Sequence, residues 1–446
     1  MKVHLLSEAV KKCKGVILKQ IDVFEGDRLY DVPIRYPVNN PFCAFYGVNK
    51  SGENLTVPLD SDLLSRHIMF LGGIGTGKTN AFSQVLSQIR RNVTGSDVVI
   101  IFDTKGDFYK EFYQKGDIVI SNDDAATGAN GRDYWNIFGE IEKDSQTEET
   151  IVEITKTIFR EKLEKTNQPF FPNAAKDLMS AVLLHCVRNG GNFSNASLRK
   201  YFDTSTVSDY MNLLSGHSDL RAMTSYIAGE NSPQALGVLS ELQQMVREVF
   251  VGNFRQAGTL SMREIVRNKG GKFVFIEYDL SIGNMLAPIY SLMFDMAIKE
   301  ALSRKKTKGN VYFIADEFRL IPNLQHVDDA VNFGRSLGVK FMIGIQNVEQ
   351  VFEAYGEERA RSIMSGFLTS VAFRVNDASS KKYIKELHGE NRKKTTYMSS
   401  VQTRGITEDI RDAYVVEDWD ISNLGLGEAI IGLPGKPPFR FRFRKA

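Results

Sequence analysis

The 446-residue chain reads as an α/β protein with an all-α block set into it, and three observations carry that reading. Uninterrupted apolar runs at Val98–Asp103, Val311–Ala315 and Val339–Ile345 end in polar residues, as parallel strands covered on both faces do. Between about 144 and 265 the apolar residues recur at helical spacing, with no convincing strand, and strands resume at Lys272–Glu277. The apolar run Ile68–Leu71 enters Gly72-Gly73-Ile74-Gly75-Thr76-Gly77-Lys78-Thr79, after which Ala81, Phe82, Val85, Leu86 and Ile89 mark one face of a helix.

Strand, glycine loop, helix is the context that the pattern G-x-x-x-x-G-K-[ST] requires. Backbone N–H groups from Gly72 to Thr79, and on to Asn80, close around phosphate oxygens, and the helix dipole favours negative charge there. Lys78 reaches the β- and γ-phosphates, and the Thr79 hydroxyl faces Mg²⁺. A P-loop binding ATP with Mg²⁺ is the expectation.

Composition sets the outer bounds. The length exceeds one ordinary core, and 42% hydrophobic residues suffice to fill two or three. Lys plus Arg (56) nearly balance Asp plus Glu (54), so the net charge of +2 excludes a globally basic nucleic-acid binder; any basic surface is local. Cys13, Cys43 and Cys186 lie far apart without C-x-x-C spacing, which argues against zinc and for reduced thiols in a cytoplasmic setting. Residues 1–18 carry Lys11, Lys12 and Lys14 among apolar residues and read as neither signal peptide nor anchor. With no uncharged apolar run of about 18 residues, no membrane span is expected.

In chain order, residues 1–60 form a β-rich segment packing on the nucleotide-binding part, with strands near 15–23, 42–48 and 54–59. The nucleotide-binding part itself comprises 61–143 and 266–446, and 144–265 is the all-α part, with helices at 148–164, 174–187, 205–214 and 233–250. Residues 284–302 form a strongly apolar helix interrupted by Asp295 and Lys299, hence a core helix. The closing Phe439-Arg-Phe-Arg-Phe-Arg444 alternates with period two, as an edge strand with one apolar and one cationic face.

The second half of the site is expected at Asp316-Glu317, carried to the cleft by the strand before it. Asp316 there holds Mg²⁺ through its water shell, and Glu317 polarises the attacking water. Alone, such an acid pair fits an exposed strand end equally well; the P-loop makes the catalytic reading the stronger. Gln346, ending the next strand, is a candidate sensor of the γ-phosphate, or an ordinary strand-end glutamine. Charge developing on the transferred phosphoryl group calls for a further cation, often an arginine from a neighbouring subunit. Arg335 and Arg374 are the candidates, and each also reads as a solvated charge at the end of an element. Lys381, Lys382, Lys385, Arg392, Lys393 and Lys394, with Tyr383 and Tyr397, face only Glu386 and Glu390 locally; they form a phosphate-facing stretch or a solvated helix face.

Together these pieces resemble the conjugative coupling proteins of the TraD, TraG and TrwB type, in the HerA–FtsK superfamily of P-loop ATPases. The resemblance rests on Arg66-His67 before the P-loop strand, Phe102-Asp103-Thr-Lys-Gly-Asp107, Asp133-Tyr-Trp-Asn-Ile-Phe138 and Phe170-Phe171 before Ala174-Ala175. It continues through Asp316-Glu317, Gly334-Arg335-Ser-Leu-Gly338, Gly344-Ile-Gln346 and Phe373-Arg374. It implies a RecA-like P-loop NTPase domain carrying an inserted all-α domain, a homo-hexameric ring around DNA with ATP between subunits, and Arg335 or Arg374 acting across the interface. It also implies relaxase or other secretion-system partners. Such proteins usually begin with two transmembrane helices, not seen in this sequence, so either a membrane-bound tether protein is a further partner or the chain belongs to a soluble, cytoplasmic branch. An ATP-switched docking protein without translocation, or a HerA- or FtsK-like translocase, are the alternative readings.

Overall fold

The computed structural model describes residues 18–49, 51–122, 133–229, 231–303, 308–398 and 406–446; the readings placed on residues 1–17, including Cys13, lie outside them. Fourteen strands are described: β1 Leu18–Glu25, β2 Cys43–Val48, β3 Asn54–Leu59, β4 Ile68–Leu71, β5 Val98–Asp103, β6 Ile118–Ile120, β7 Lys272–Glu277, β8 Val311–Ala315, β9 Val339–Ile345, β10 Thr369–Phe373, β11 Glu390–Met398, β12 Ile406–Tyr414, β13 Glu428–Gly432 and β14 Phe439–Phe443.

Eleven of them form one sheet in the order β3-β2-β14-β13-β10-β4-β9-β8-β5-β7-β6. From β10 to β6 every neighbouring pair is parallel, and from β10 to β3 every pair is antiparallel. The parallel strands are the apolar runs: β4, β5, β8, β9 and β10 are buried at every position, because helices cover both faces. Helix Lys78–Asn92 buries Phe82, Val85, Leu86 and Ile89 in the core on one face, and helix Gly283–Ala301 buries Leu286, Ile289, Met293 and Phe294 on the other.

Between β6 and β7 the described regular elements are helical: Thr147–Lys165, Phe170–Asn189, Asn195–Thr204, Val207–Ser215, Pro233–Val249 and Met262–Asn268, with short 3₁₀ turns among them. The expected helix at 205–214 begins two residues later, because Thr206 caps it and accepts from the Asp209 N–H. Helix Asn195–Thr204 is absent from the sequence reading; its Ser194 cap, three residues before Ser197, was its signal.

Of the 1–60 segment, β2 and β3 are strands of the large sheet, and β1 pairs with β11 in a separate three-stranded antiparallel sheet, β1-β11-β12. The expectation that Phe439–Phe443 lies at an edge is overturned, since β14 is interior, between β13 and β2. Its two-sided pattern stands: Phe439, Phe441 and Phe443 are buried, and Phe443 packs edge-on against Phe45 of β2 at 5.4 Å. Its Arg face, bearing no apolar residue, gave no hint in sequence that a hairpin from the far end of the chain pairs with its backbone. Among the described residues no helix is long and apolar enough to cross a membrane.

Candidate nucleotide-binding site

Parallel strands deliver their following residues to one edge of the sheet, and that edge collects the site. The loop after β4 is wedged between the ends of its two neighbours: Gly72 N–H donates to Ile345 O at 3.1 Å, and Gly73 N–H to Arg374 O at 3.0 Å. Gln346 and Arg374 therefore flank the loop by topology, following β9 and β10. Gly77 caps helix Lys78–Asn92 at φ 111°, a left-handed value that a side chain resists. No side chain caps this helix, so its first N–H groups point out of the loop as donors for an anion. Thr76 is tucked under the loop, its hydroxyl donating to Gly73 O at 2.8 Å, whereas Ile74 is 84% exposed and Gly75 and Thr79 also face out.

Lys78 turns its ammonium onto Gly72 O and, at 3.1 Å, Gly73 O. Burial lowers its pKa, against the attraction of Glu317 and Asp316. Asp316 accepts from the Thr104 hydroxyl at 3.2 Å, and burial followed by repulsion from Asp103 pushes its carboxyl up to about 7. Asp103 itself is raised by burial, although it accepts from the Tyr109 N–H at 2.8 Å. Carboxylates crowded in a buried cleft beside a lysine call for a cation, which suits a divalent ion bridging to phosphate. The close approach is built into the backbone: a Cβ on Gly344 in β9 would sit 2.3 Å from Asp316 O, so only glycine fits beside that acid.

Glu317 is gripped on both oxygens, Oε2 by the Gln346 amide and Oε1 by Arg319 Nε at 3.2 Å. The sequence reading named Gln346 and Glu317 separately and missed Arg319 and Thr104; the turn Asp316-Glu-Phe-Arg319 and the threonine after Asp103 were the available signals. Two candidates sit elsewhere. Asn80 Nδ2 donates to Arg444 O at 2.6 Å and its Oδ1 accepts from Ala446 N–H at 2.6 Å, so its side chain fastens the segment after β14 and does not face phosphate. Arg335 precedes β9 and so lies at the opposite end of the sheet from the loop, paired with Asp62.

Four of the six cations of the basic run are met by acids distant in sequence, and Lys382 has only the local Glu386 at 3.8 Å. Lys385 pairs with Asp418 at 2.9 Å, Lys393 with Glu417 at 2.9 Å, Lys394 with Glu408 at 2.6 Å, and Arg392 lies between Glu25 and Asp412. Lys393 is buried, its ammonium 2.7 Å from Tyr414 O, and so faces protein. The Tyr397 side chain lies outside the described residues.

The family model described as the type IV secretion-system coupling protein DNA-binding domain matches residues 53–434, most of the chain and all of this site. The chain belongs to that family. Over 364 residues the chain is 22% identical to the coupling protein TraD of Escherichia coli K12, covering 76% of the chain and spanning about half (47%) of that relative's length. The fold matches the bacterial conjugative coupling protein TrwBdeltaN70 in its trigonal, sulphate-bound form with a TM-score of 0.73 at 20% identity, over 95% of both chains. The plasmid coupling protein TrwB in complex with ADP and Mg²⁺ matches with a TM-score of 0.70 at 19% identity, again over 95% of each. VirB4 of Thermoanaerobacter pseudethanolicus is more distant, with a TM-score of 0.55 at 13% identity, covering 92% of this chain and 98% of that one.

Proposed function

We propose that this coupling protein hydrolyses ATP with Mg²⁺, binds DNA, and assembles as a hexameric ring that passes DNA or nucleoprotein to a type IV secretion machine. The observation that carries the reading is the convergence on one sheet edge of a phosphate loop, Lys78, the acids Asp103 and Asp316, and Glu317 held by Gln346. TrwB has been solved with ADP and Mg²⁺ and with a non-hydrolysable ATP analogue, which supports the same ligands here.

In this reading Gly72 to Thr79 cradle the phosphates, Lys78 leaves the Gly72 and Gly73 carbonyls for phosphate oxygens, and Thr79 with Asp316 holds Mg²⁺. Glu317 orients the attacking water after giving up the Gln346 amide, which turns to the γ-phosphate; one side chain so reports the nucleotide to the base. Arg374 stands beside the loop in its own subunit, whereas Arg335 reaches a nucleotide only across a subunit interface. DNA, a relaxase or other secretion proteins, and a membrane-bound tether are the partners.

The test is the steady-state ATPase rate of the purified chain with and without single- and double-stranded DNA at low salt, alongside its mass in solution and Lys78→Ala as the inactive reference. DNA stimulation, salt-sensitive DNA binding and a specific activity that rises with protein concentration are expected. Unchanged rates with DNA at every concentration would refute the translocase reading. Arg335→Ala and Arg374→Ala, each mixed with Glu317→Gln subunits, identify the arginine that acts in trans.

A further inference from the structure

Away from the nucleotide edge, three side chains from three elements meet where the helical block joins the sheet. Glu153 comes from helix Thr147–Lys165, Asp295 from helix Gly283–Ala301, and His326 from the N-cap of helix Val327–Phe333. Each offers one ligand atom, and these atoms all lie within 4.8 Å of one another. We propose that Glu153, Asp295 and His326 form a binding site for one divalent cation of the zinc class, which clamps the helical block to the α/β core.

The decisive group is Asp295. It is 1% exposed; its Oδ1 accepts from the His326 N–H at 2.9 Å, and its Oδ2 has no hydrogen-bond partner. A carboxylate oxygen enclosed in protein without a donor is costly, and this carboxylate places an oxygen within 4.8 Å of a ligand atom on each of Glu153 and His326. Glu153 places Oε1 against His326 Nε2 and Oε2 against Lys299 Nζ, and that ammonium also lies 3.4 Å from the Thr150 hydroxyl. Lys299 neutralises Glu153 from behind and leaves Oε1 on the shared side. The donor set of one imidazole nitrogen and two carboxylate oxygens, with a fourth position for water, is that of a tetrahedral zinc-class ion. Calcium and magnesium favour six or more oxygen ligands and are poorly served. The loop is also held from helix Thr147–Lys165, with Gln325 Nε2 donating to Thr157 Oγ1 at 2.8 Å, and a bound ion takes the place of the direct His326–Glu153 hydrogen bond.

The experiment uses the full chain, freed of metal by chelation and carrying His185→Ala, which removes the other paired imidazoles, His185 Nδ1 and His217 Nε2 at 2.8 Å, as a source of background zinc uptake. Zn²⁺ alone is titrated with Mg²⁺ in excess, and Co²⁺ alone is followed by visible absorption. We expect one Zn²⁺ per chain, a rise in melting temperature on binding, and the absorption of low-coordinate cobalt. Asp295→Asn, which keeps the shape, is expected to weaken Zn²⁺ at least about tenfold and to abolish the thermal shift. His326→Gln serves as the second variant, and circular dichroism with nucleotide binding verifies that both fold. An unsubstituted cluster that takes up no Zn²⁺, or folded Asp295→Asn and His326→Gln chains that bind it as tightly as their parent, would overturn the site.

Discussion

The strand β9 carries the two ends of the sheet to different conditions. After its carboxyl end, Gln346 meets Glu317 in a cleft where burial and the neighbouring Asp103 push Asp316 up to about 7 and burial lowers Lys78. At its amino end the charges are answered. Lys340, driven down to about 8 by burial, donates to Ser61 O at 3.1 Å and to the Ser65 hydroxyl, and Arg335 pairs with Asp62. The His67 ring is locked between them: Nδ1 accepts from the Phe341 N–H at 3.0 Å and Nε2 donates to Val331 O at 3.2 Å. One end holds like charges together inside a rigid frame, and the other supplies the frame. Electrostatic conflict is concentrated where a bound cation and phosphate would relieve it.

The largest effect is expected from Glu317→Gln, which keeps the Arg319 and Gln346 contacts near in shape but removes the carboxylate. Hydrolysis should fall about 10²- to 10⁴-fold while nucleotide affinity stays within a few-fold, read by steady-state turnover and fluorescent nucleotide titration. Retained turnover would break the assignment of chemistry to this end.

His67 sharpens the contrast from the other end. Its two hydrogen bonds require the neutral ring, and burial lowers its pKa from 6.5 to about 4. A histidine lowered in the native state contributes stability that is full above pH 6.5 and is lost as pH falls toward 4. That loss amounts to about 3 kcal/mol across the window. Asn fits the positive φ of 57° at this position, so His67→Asn should lower stability at pH 7 yet lose less between pH 7 and 4.5. Urea midpoints at both pH values measure this; parallel pH losses would show the lock to be absent.

Smaller again, Asp316→Asn should raise the urea midpoint at pH 8 by the equivalent of about 1–2 kcal/mol, through relief first of the buried charge and then of its repulsion from Asp103, and weaken Mg²⁺-dependent nucleotide binding. Smallest is Arg335→Ala: its pair with Asp62 is half exposed, so the isolated chain should lose under about 1 kcal/mol and bind nucleotide unchanged.

What was legible in the sequence was local. The loop from Gly72 to Thr79 announces itself through contiguous spacing, and Asp316-Glu317 and Gln346 through apolar runs that end on them, since a parallel strand delivers its next residue to the ligand edge. The same rule places Arg335 at the wrong end in its own subunit, because it precedes its strand; only Arg374 follows one. What escaped needed partners distant in the chain. The acids facing Lys385, Arg392, Lys393 and Lys394 come from β1, β12 and the N-terminus of the helix Asp418–Ser422, so a window around residue 390 showed six cations against only Glu386 and Glu390. The interior place of β14 depends on β2, whose pairing leaves no periodic trace in either strand.

That pairing bears on how the chain is made. Gly427 N–H donates to Thr76 O at 3.0 Å, a Cβ on Gly77 would lie 3.0 Å from Gly427 Cα, and Asn80 holds Arg444 O across 364 positions of sequence. The phosphate loop is synthesised early but finds its outer wall only when β13 and β14 arrive. During translation a long interval separates its first strand from its completion, and contacts of such sequence separation form late. A chain halted before β14 therefore carries the full nucleotide motif and still lacks the contacts that the end of the chain makes with the loop and with Asn80 of its helix.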